Sequence, residues 1–371
     1  GAREASHASH AADGAMLPIA HVLAALLPSH PALSASGIVG ARAGLPQMRL
    51  TPEGPERPVP SRHSARAPML QPHLDRRSAL AGALCLAPTI MLPNSAMAAT
   101  DPFKFFPGAR MSSEVDDAVA AALDARGYQK GNTLFAHSVC SDEVNFAEKE
   151  LIDLMRKRWG ESFTLGGLAG VPFAGKAGLS AYAHHVPDEG KLFILFAPHV
   201  GVGYDGKVGA LERAGVVSGS SACGAAVGAY KTLSKPGAAA PADFGDMNDL
   251  QFDYIKMKLS PRLSGVKAAP NDMAFVTYQM YSMVKDAMLS QIAASPGIWD
   301  DCSELAVLGG VQINRYKNKD AFQPLMFQTI TKAGKRTDLY PSTFGKMPEL
   351  SPLLGDNAQV ASVLGQGLTL A

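Results

Sequence analysis

Cys140, His199 and Cys223 stand at three junctions of the chain, each closing a stretch patterned as a strand or opening one patterned as a helix. Such junctions are where an α/β sheet gathers its ligand-binding side chains. Two thiolates and an imidazole suit a soft divalent ion, Zn2+ first among them. A Cys-Cys-His set leaves one tetrahedral position for water, the mark of a catalytic rather than a structural site. Two thiolates also cancel the charge of the ion, so a bound water is activated less than by three imidazoles and needs an acceptor beside it. Asp142, two residues after Cys140, sits in a first helical turn from which it can be that acceptor and orient the hydroxide. The plainer alternative makes Cys140 and Cys223 buried thiols and Asp142 a helix cap. The capped acidic neighbour of Cys140 and the strand-end His before Cys223 favour the metal.

The elements that must position these residues follow from hydrophobic period and turn chemistry. Leu192-Phe193-Ile194-Leu195-Phe196 is a continuous apolar run, expected of a strand buried on both faces of a parallel sheet, and Pro198 stops it beside an exposed His199. Tyr204-Asp205-Gly206-Lys207 is turn chemistry between two short β-like pieces. Ser220 and Ser221 then offer caps for a Gly-Ala helix whose first turn holds Cys223, where the helix dipole favours a thiolate. Upstream, 114–126 reads as a helix stopped by Gly127, and 132–139 as a strand that delivers Cys140. Ser141 and Asp142 cap a helix with Val144, Ala147, Leu151, Leu154 and Met155 on one stripe, closing at Trp159-Gly160.

The Gly-rich stretch 163–178 lacks the Gly-Lys-Ser/Thr of a phosphate loop and reads as close backbone packing near the site, with apolar walls near Gly166 to Phe173. Downstream come an exposed Ala/Pro loop at 234–244, a Met-rich helix at 272–292, an apolar strand at 305–313 and a weakly patterned tail from Pro341. The whole predicts one α/β domain over residues 100–371, a mostly parallel central sheet flanked by helices.

A chain of 371 residues with formal net charge +1 carries no electrostatic footprint for nucleic acid. The first 99 residues read as a cleavable multipartite leader. A short apolar run at 16–27 suits a secretory signal, and an Arg-, Pro- and Ser-rich stretch at 40–66 suits a plastid transit segment. Arg76-Arg77, the apolar 79–92 and Ala96-Met97-Ala98 make a twin-arginine signal. The expected address is the thylakoid lumen of a complex plastid. The 79–92 stretch is too short to span a bilayer, so no stable membrane insertion of the mature protein is expected.

Phe135–Asn145, 166–173 (Gly-Gly-Leu-Ala-Gly-Val-Pro-Phe), His184–Asp188, Ala197–Gly201 and Ser221–Ala225 together resemble the limiting-CO2-inducible B family, the theta carbonic anhydrases, over nearly all of the mature domain. The resemblance implies a fold and zinc site similar to beta carbonic anhydrases, CO2 and bicarbonate as substrates within a CO2-concentrating mechanism, and a homodimer. The beta pattern Cys-x-Asp-x-Arg, then His-x-x-Cys-Gly, is here Cys140-Ser141-Asp142, His199 and Cys223-Gly224, with a hairpin inserted between His and Cys. Val144 stands where that pattern has the Arg paired with Asp, and Arg213 in the inserted hairpin is the candidate replacement. The missing Arg is also the one feature favouring the alternative, a catalytically inactive zinc-bearing subunit of a CO2-concentrating complex. A thiol-redox protein lacks its Cys-x-x-Cys, and a zinc deaminase its His-x-Glu. His184 and His185 are open between proton shuttling and a structural role, and Cys302 is a bystander.

Overall fold

The computed structural model describes residues 101–354 apart from 102, 218, 244–246, 317 and 318. The leader read over residues 1–99 and the tail beyond 354 lie outside the described residues. The strands are β1 (Arg110–Met111), β2 (Thr133–Val139), β3 (Ser162–Thr164), β4 (Gly190–Ala197), β5 (His199–Val202), β6 (Ala210–Leu211), β7 (Ser220–Ser221), β8 (Cys302–Arg315), β9 (Ala321–Thr331) and β10 (Arg336–Asp338). The α-helices are α1 (Ser112–Asp124), α2 (Leu151–Trp159), α3 (Gly175–Ala183), α4 (Gly224–Leu233), α5 (Leu250–Leu259), α6 (Asp272–Ala293), α7 (Tyr340–Phe344) and α8 (Ser351–Leu354). Among the described residues no helix is long and apolar enough to cross a membrane.

The main sheet runs β1-β9-β8-β4-β2-β3, with β10 also on β9 and β5 also on β8. Strands β3, β2, β4 and β8 are parallel, and β9 joins antiparallel to β8. This is the expected mixed α/β layer with a mostly parallel centre. The apolar run of β4 shows why a continuous pattern is needed at that position. Leu192, Ile194 and Phe196 enter the core that also holds residues of α3, α4, α5 and α6, while Phe193, Leu195 and Ala197 enter the core built with α1, α2 and α7. Each face removes its side chains from water, and a buried residue of this size contributes about 1.5–3 kcal/mol.

The structure corrects four local expectations. Pro198 interrupts the strand rather than ending it. Phe196 pairs Gly309 on β8 and His199 pairs Gln312, so β5 continues in the same register. Proline removes one donor, while its own carbonyl still accepts the Gln312 N–H at 3.0 Å. Second, the helix expected from Asp142 to Trp159 is a 3-10 turn over Glu143–Phe146 followed, after Lys149 at φ 69°, by α2. Third, Ser220 and Ser221 pair with β6 instead of capping, and Cys223 is itself the N-cap of α4, one residue outside the first turn. Fourth, His199 is only 2% exposed.

Candidate metal centre

Register explains how Cys140 and His199 meet. In the parallel pair β2 and β4, Val139 lies opposite Ala197, so Cys140 and the Pro198-His199 step leave the same carboxyl edge of the sheet side by side. Cys223 arrives by a longer route. The Gly201 N–H donates to the Ala222 carbonyl at 2.8 Å and the Gly209 N–H to that of Gly201 at 2.8 Å, which seats the end of the inserted hairpin on β5. A Cβ on Gly201 would stand 2.7 Å from the Ala210 carbonyl oxygen, so only glycine permits this approach. The turn within the hairpin is where turn chemistry put it, with the Gly203 N–H donating to Lys207 at 3.0 Å.

The three ligand atoms of Cys140, His199 and Cys223 all lie within 4.8 Å of one another, and all three residues are buried. The two sulfurs are 3.7 Å apart. A disulfide requires about 2.05 Å. Two sulfurs each about 2.3 Å from one tetrahedral zinc would stand about 3.8 Å apart. The separation fits a shared ion and excludes a bond between the sulfurs. His199 Nε2 is a buried polar atom without a hydrogen-bond partner, the vacancy a ligand nitrogen needs before it coordinates. These donors therefore fit zinc.

The charges around the site agree. A hydrogen bond from Cys140, opposed by burial and helped by the Ala226 and Ala225 N–H groups at the start of α4, holds the Cys223 thiol below its usual pKa. The same contact with Cys223, and then burial, push the Cys140 thiol well up. Of the two thiols, the one at the helix start is therefore the readier to ionise. Burial alone would push the His199 imidazole down, but Cys140, Asn314 and Asp142 outweigh it and hold it above its ordinary value. The Ala169 N–H from the Gly-rich loop donates to the Cys140 sulfur at 3.1 Å.

Asp142 is the N-cap of the 3-10 turn, accepting from the Val144 N–H at 3.4 Å. Its Oδ2 stands 3.8 Å from His199 Nε2, and its Oδ1 accepts from Arg213 at 3.2 Å. Arg213 also bonds Glu143. Arg213, the candidate cation from the hairpin, does stand beside Asp142. Asn145 braces the turn by donating to the Cys140 carbonyl at 3.0 Å.

The Gly-rich stretch packs as expected. A Cβ on Gly166 would lie 2.4 Å from the Val139 carbonyl oxygen, and one on Gly170 2.3 Å from that of Ala197. Sequence reasoning missed Asn314, Asp320 and Glu150. His199 Nδ1 lies 2.7 Å from Asn314 Oδ1, and Asn314 Nδ2 donates to Asp320 at 2.7 Å. The only signal was their place on a strand not anticipated to reach past Ile313, and on a helix break read as continuous helix.

His184 and His185 are exposed at the end of α3, before the first residue of β4. The eight residues of β4 span about 26 Å, and the metal centre is at their far end, so neither imidazole can pass a proton to it directly. His184 Nδ1 lies 3.8 Å from Asp301, and His185 Nδ1 bonds the Ala181 carbonyl. Cys302 is buried at the start of β8, opposite Gly190 at the end of β4 away from the metal centre, and is no part of the cluster.

A family model described as limiting CO2-inducible proteins B/C, beta carbonic anhydrases, matches residues 109–331. Among solved structures, that of PtLCIB4, a homolog of the limiting CO2-inducible protein LCIB, is 32% identical. The match covers 64% of this chain and 97% of that chain at a TM-score of 0.58. A serine-to-arginine mutant of the same protein matches at 32% identity, over 64% of this chain and 96% of that one, with a TM-score of 0.52. No curated protein matches the chain.

Proposed function

This chain belongs to the family of limiting CO2-inducible proteins B/C, and from that membership we propose that it is a zinc-dependent carbonic anhydrase interconverting CO2 and bicarbonate. The observation that carries the reading is the meeting of Cys140, His199 and Cys223 at one buried point, with sulfurs 3.7 Å apart and Asp142 beside them.

Zinc held by these three side chains would supply a Lewis acid that makes water a nucleophile near neutral pH. The protein's own groups do the rest. Asp142 Oδ2 is placed to take a hydrogen bond from the water that would attack carbon, while Arg213 on Oδ1 holds that carboxylate in place. Leu168 and Phe173, half-buried on the Gly-rich loop that also carries Ala169, give a partly apolar wall suited to a small nonpolar substrate. Arg213 beside Asp142 supports the active reading over the inactive-subunit alternative, which drew on Val144.

The test is metal analysis with stopped-flow CO2 hydration on the purified full chain. About one zinc per chain and hydration above buffer are expected. Asp142→Ala should keep the zinc and lose ~10²- to 10⁴-fold in rate. Zinc-loaded wild type that hydrates no CO2 would overturn the assignment. The lumenal address and the homodimer belong to the same proposal. A fluorescent fusion found outside the plastid would refute the first, and light scattering at one chain mass the second.

A further inference from the structure

Behind His199 lies a line of buried polar groups that the reaction proposed above does not touch. Asn314 is 1% exposed, Asp320 5% and Glu150 2%. Asp320 closes the β8 to β9 turn, where its Oδ1 accepts the Arg315 N–H at 2.6 Å and its Oδ2 accepts from Asn314 Nδ2 at 2.7 Å. Glu150, the N-cap of α2, hydrogen-bonds Asp320 side chain to side chain. Ser112 touches both, donating to the Glu150 carboxyl at 3.4 Å and the Asp320 carbonyl at 3.1 Å. Burial, with Asp320 next, pushes the Glu150 carboxyl up to about 9, so Glu150 holds a proton at neutral pH and is the donor of the pair.

The direction of every bond then follows from the acceptors. Both Asp320 oxygens accept, Oδ1 from the Arg315 N–H and Oδ2 from the NH2 of Asn314, which turns the amide oxygen toward His199. An amide oxygen also only accepts, so His199 Nδ1 must carry a proton and Nε2 is the atom left for the metal. Were Asp320 a donor, the amide would turn over, Nδ1 would lose its proton, and Nε2 would gain it and be blocked. We propose that Asp320, kept an acceptor by the Glu150 donor, is a positioning residue that selects the His199 ring form able to bind zinc.

This inference rests on His199 as a zinc ligand, so the experiment has one readout with zinc and one without. Wild type, Glu150→Gln, Glu150→Leu and Asp320→Asn are compared as full chains. Zinc affinity is measured by chelator competition, and protonation of His199 Nδ1 by ¹⁵N-imidazole NMR on the metal-free protein. Glu150→Gln keeps a donor and should match wild type in both. Asp320→Asn and Glu150→Leu should lose the Nδ1 proton and bind zinc about 10- to 100-fold more weakly. If Asp320→Asn fails to fold, Asn314→Leu serves in its place, removing the acceptor while keeping the volume. A retained Nδ1 proton with affinity within two-fold of wild type overturns the proposal. If wild type binds no zinc yet the Nδ1 proton follows the substitutions, the positioning role stands and the metal reading falls.

Discussion

Val144 and Arg213 divide between them what one arginine would do in the beta pattern. The local turn cannot supply a cation to Asp142, because Val144 gives only its backbone N–H. The hairpin supplies it from 71 residues away. Hydrogen bonds to charged groups are worth about 1.5–3 kcal/mol, so Arg213→Leu should cut CO2 hydration roughly 10- to 100-fold with zinc content unchanged, and Arg213→Lys should recover part of it. Stopped-flow rates beside metal analysis check both. Glu150 gives a second prediction. Folded, it keeps its proton to about 9, whereas an unfolded chain releases it near 4.5. Asp320, itself raised by burial, accepts from Glu150, and Ser112 and Asp153 are the other groups acting on Glu150. The folded state therefore binds more protons across that window, and this pair contributes a loss of stability as pH rises through it. Glu150→Gln cannot ionise, so its melting temperature relative to wild type should rise from pH 5 to pH 8. Equal pH dependence of the two melting curves would refute this.

Among the elements, the Gly-rich loop brings its own backbone to the site. Gly166 and Gly170 let it lie against the ends of β2 and β4, and this contact aims the Ala169 N–H at the Cys140 sulfur. Gly166→Ala would drive a methyl group into the Val139 carbonyl, and the backbone must move since no flexible side chain is there to yield. Overpacking of this kind costs about 1–3 kcal/mol. A lower melting temperature together with weaker zinc binding is expected, and a change in neither would show that the loop does not position the sulfur. Strand β9 was not anticipated, and it carries Pro324 in its interior. Proline within a run argues against a strand interior, yet here it sits where the pairing with β8 shifts register between Gly309 and Gly310, so the irregularity accommodates the missing donor.

For the whole molecule, the metal centre ties β2, β5 and the start of α4 to one point, so zinc should stabilise the fold and not only the reaction. Binding to the folded state alone adds about 4.1 kcal/mol at a free zinc concentration a thousand-fold above Kd. Chelation should lower the melting temperature of wild type by several degrees and leave Cys223→Ser unmoved. A wild-type melting curve indifferent to chelator would refute the tie. The eight-stranded sheet, closed on one side by the antiparallel β9 and its partners, holds β4 at its centre under helices on both faces. That rigidity allows three ligands drawn from strand ends and a helix start to keep one geometry.

Period and residue type alone determined the buried central strand, the strand that delivers Cys140, the hairpin turn and the three convergent donors, because each is a local pattern or a strand end that topology must bring to the sheet edge. Arg213 could be named as a candidate but not paired, since its approach to Asp142 depends on how the hairpin folds back over β5. The burial of His199, the passage of β5 through Pro198, and the line Asn314-Asp320-Glu150 were beyond any local pattern. They come from β8 running past the end of β4 and from a turn and a helix start that meet it only in three dimensions. A hydrogen bond between residues 115 apart in sequence has no periodicity to betray it.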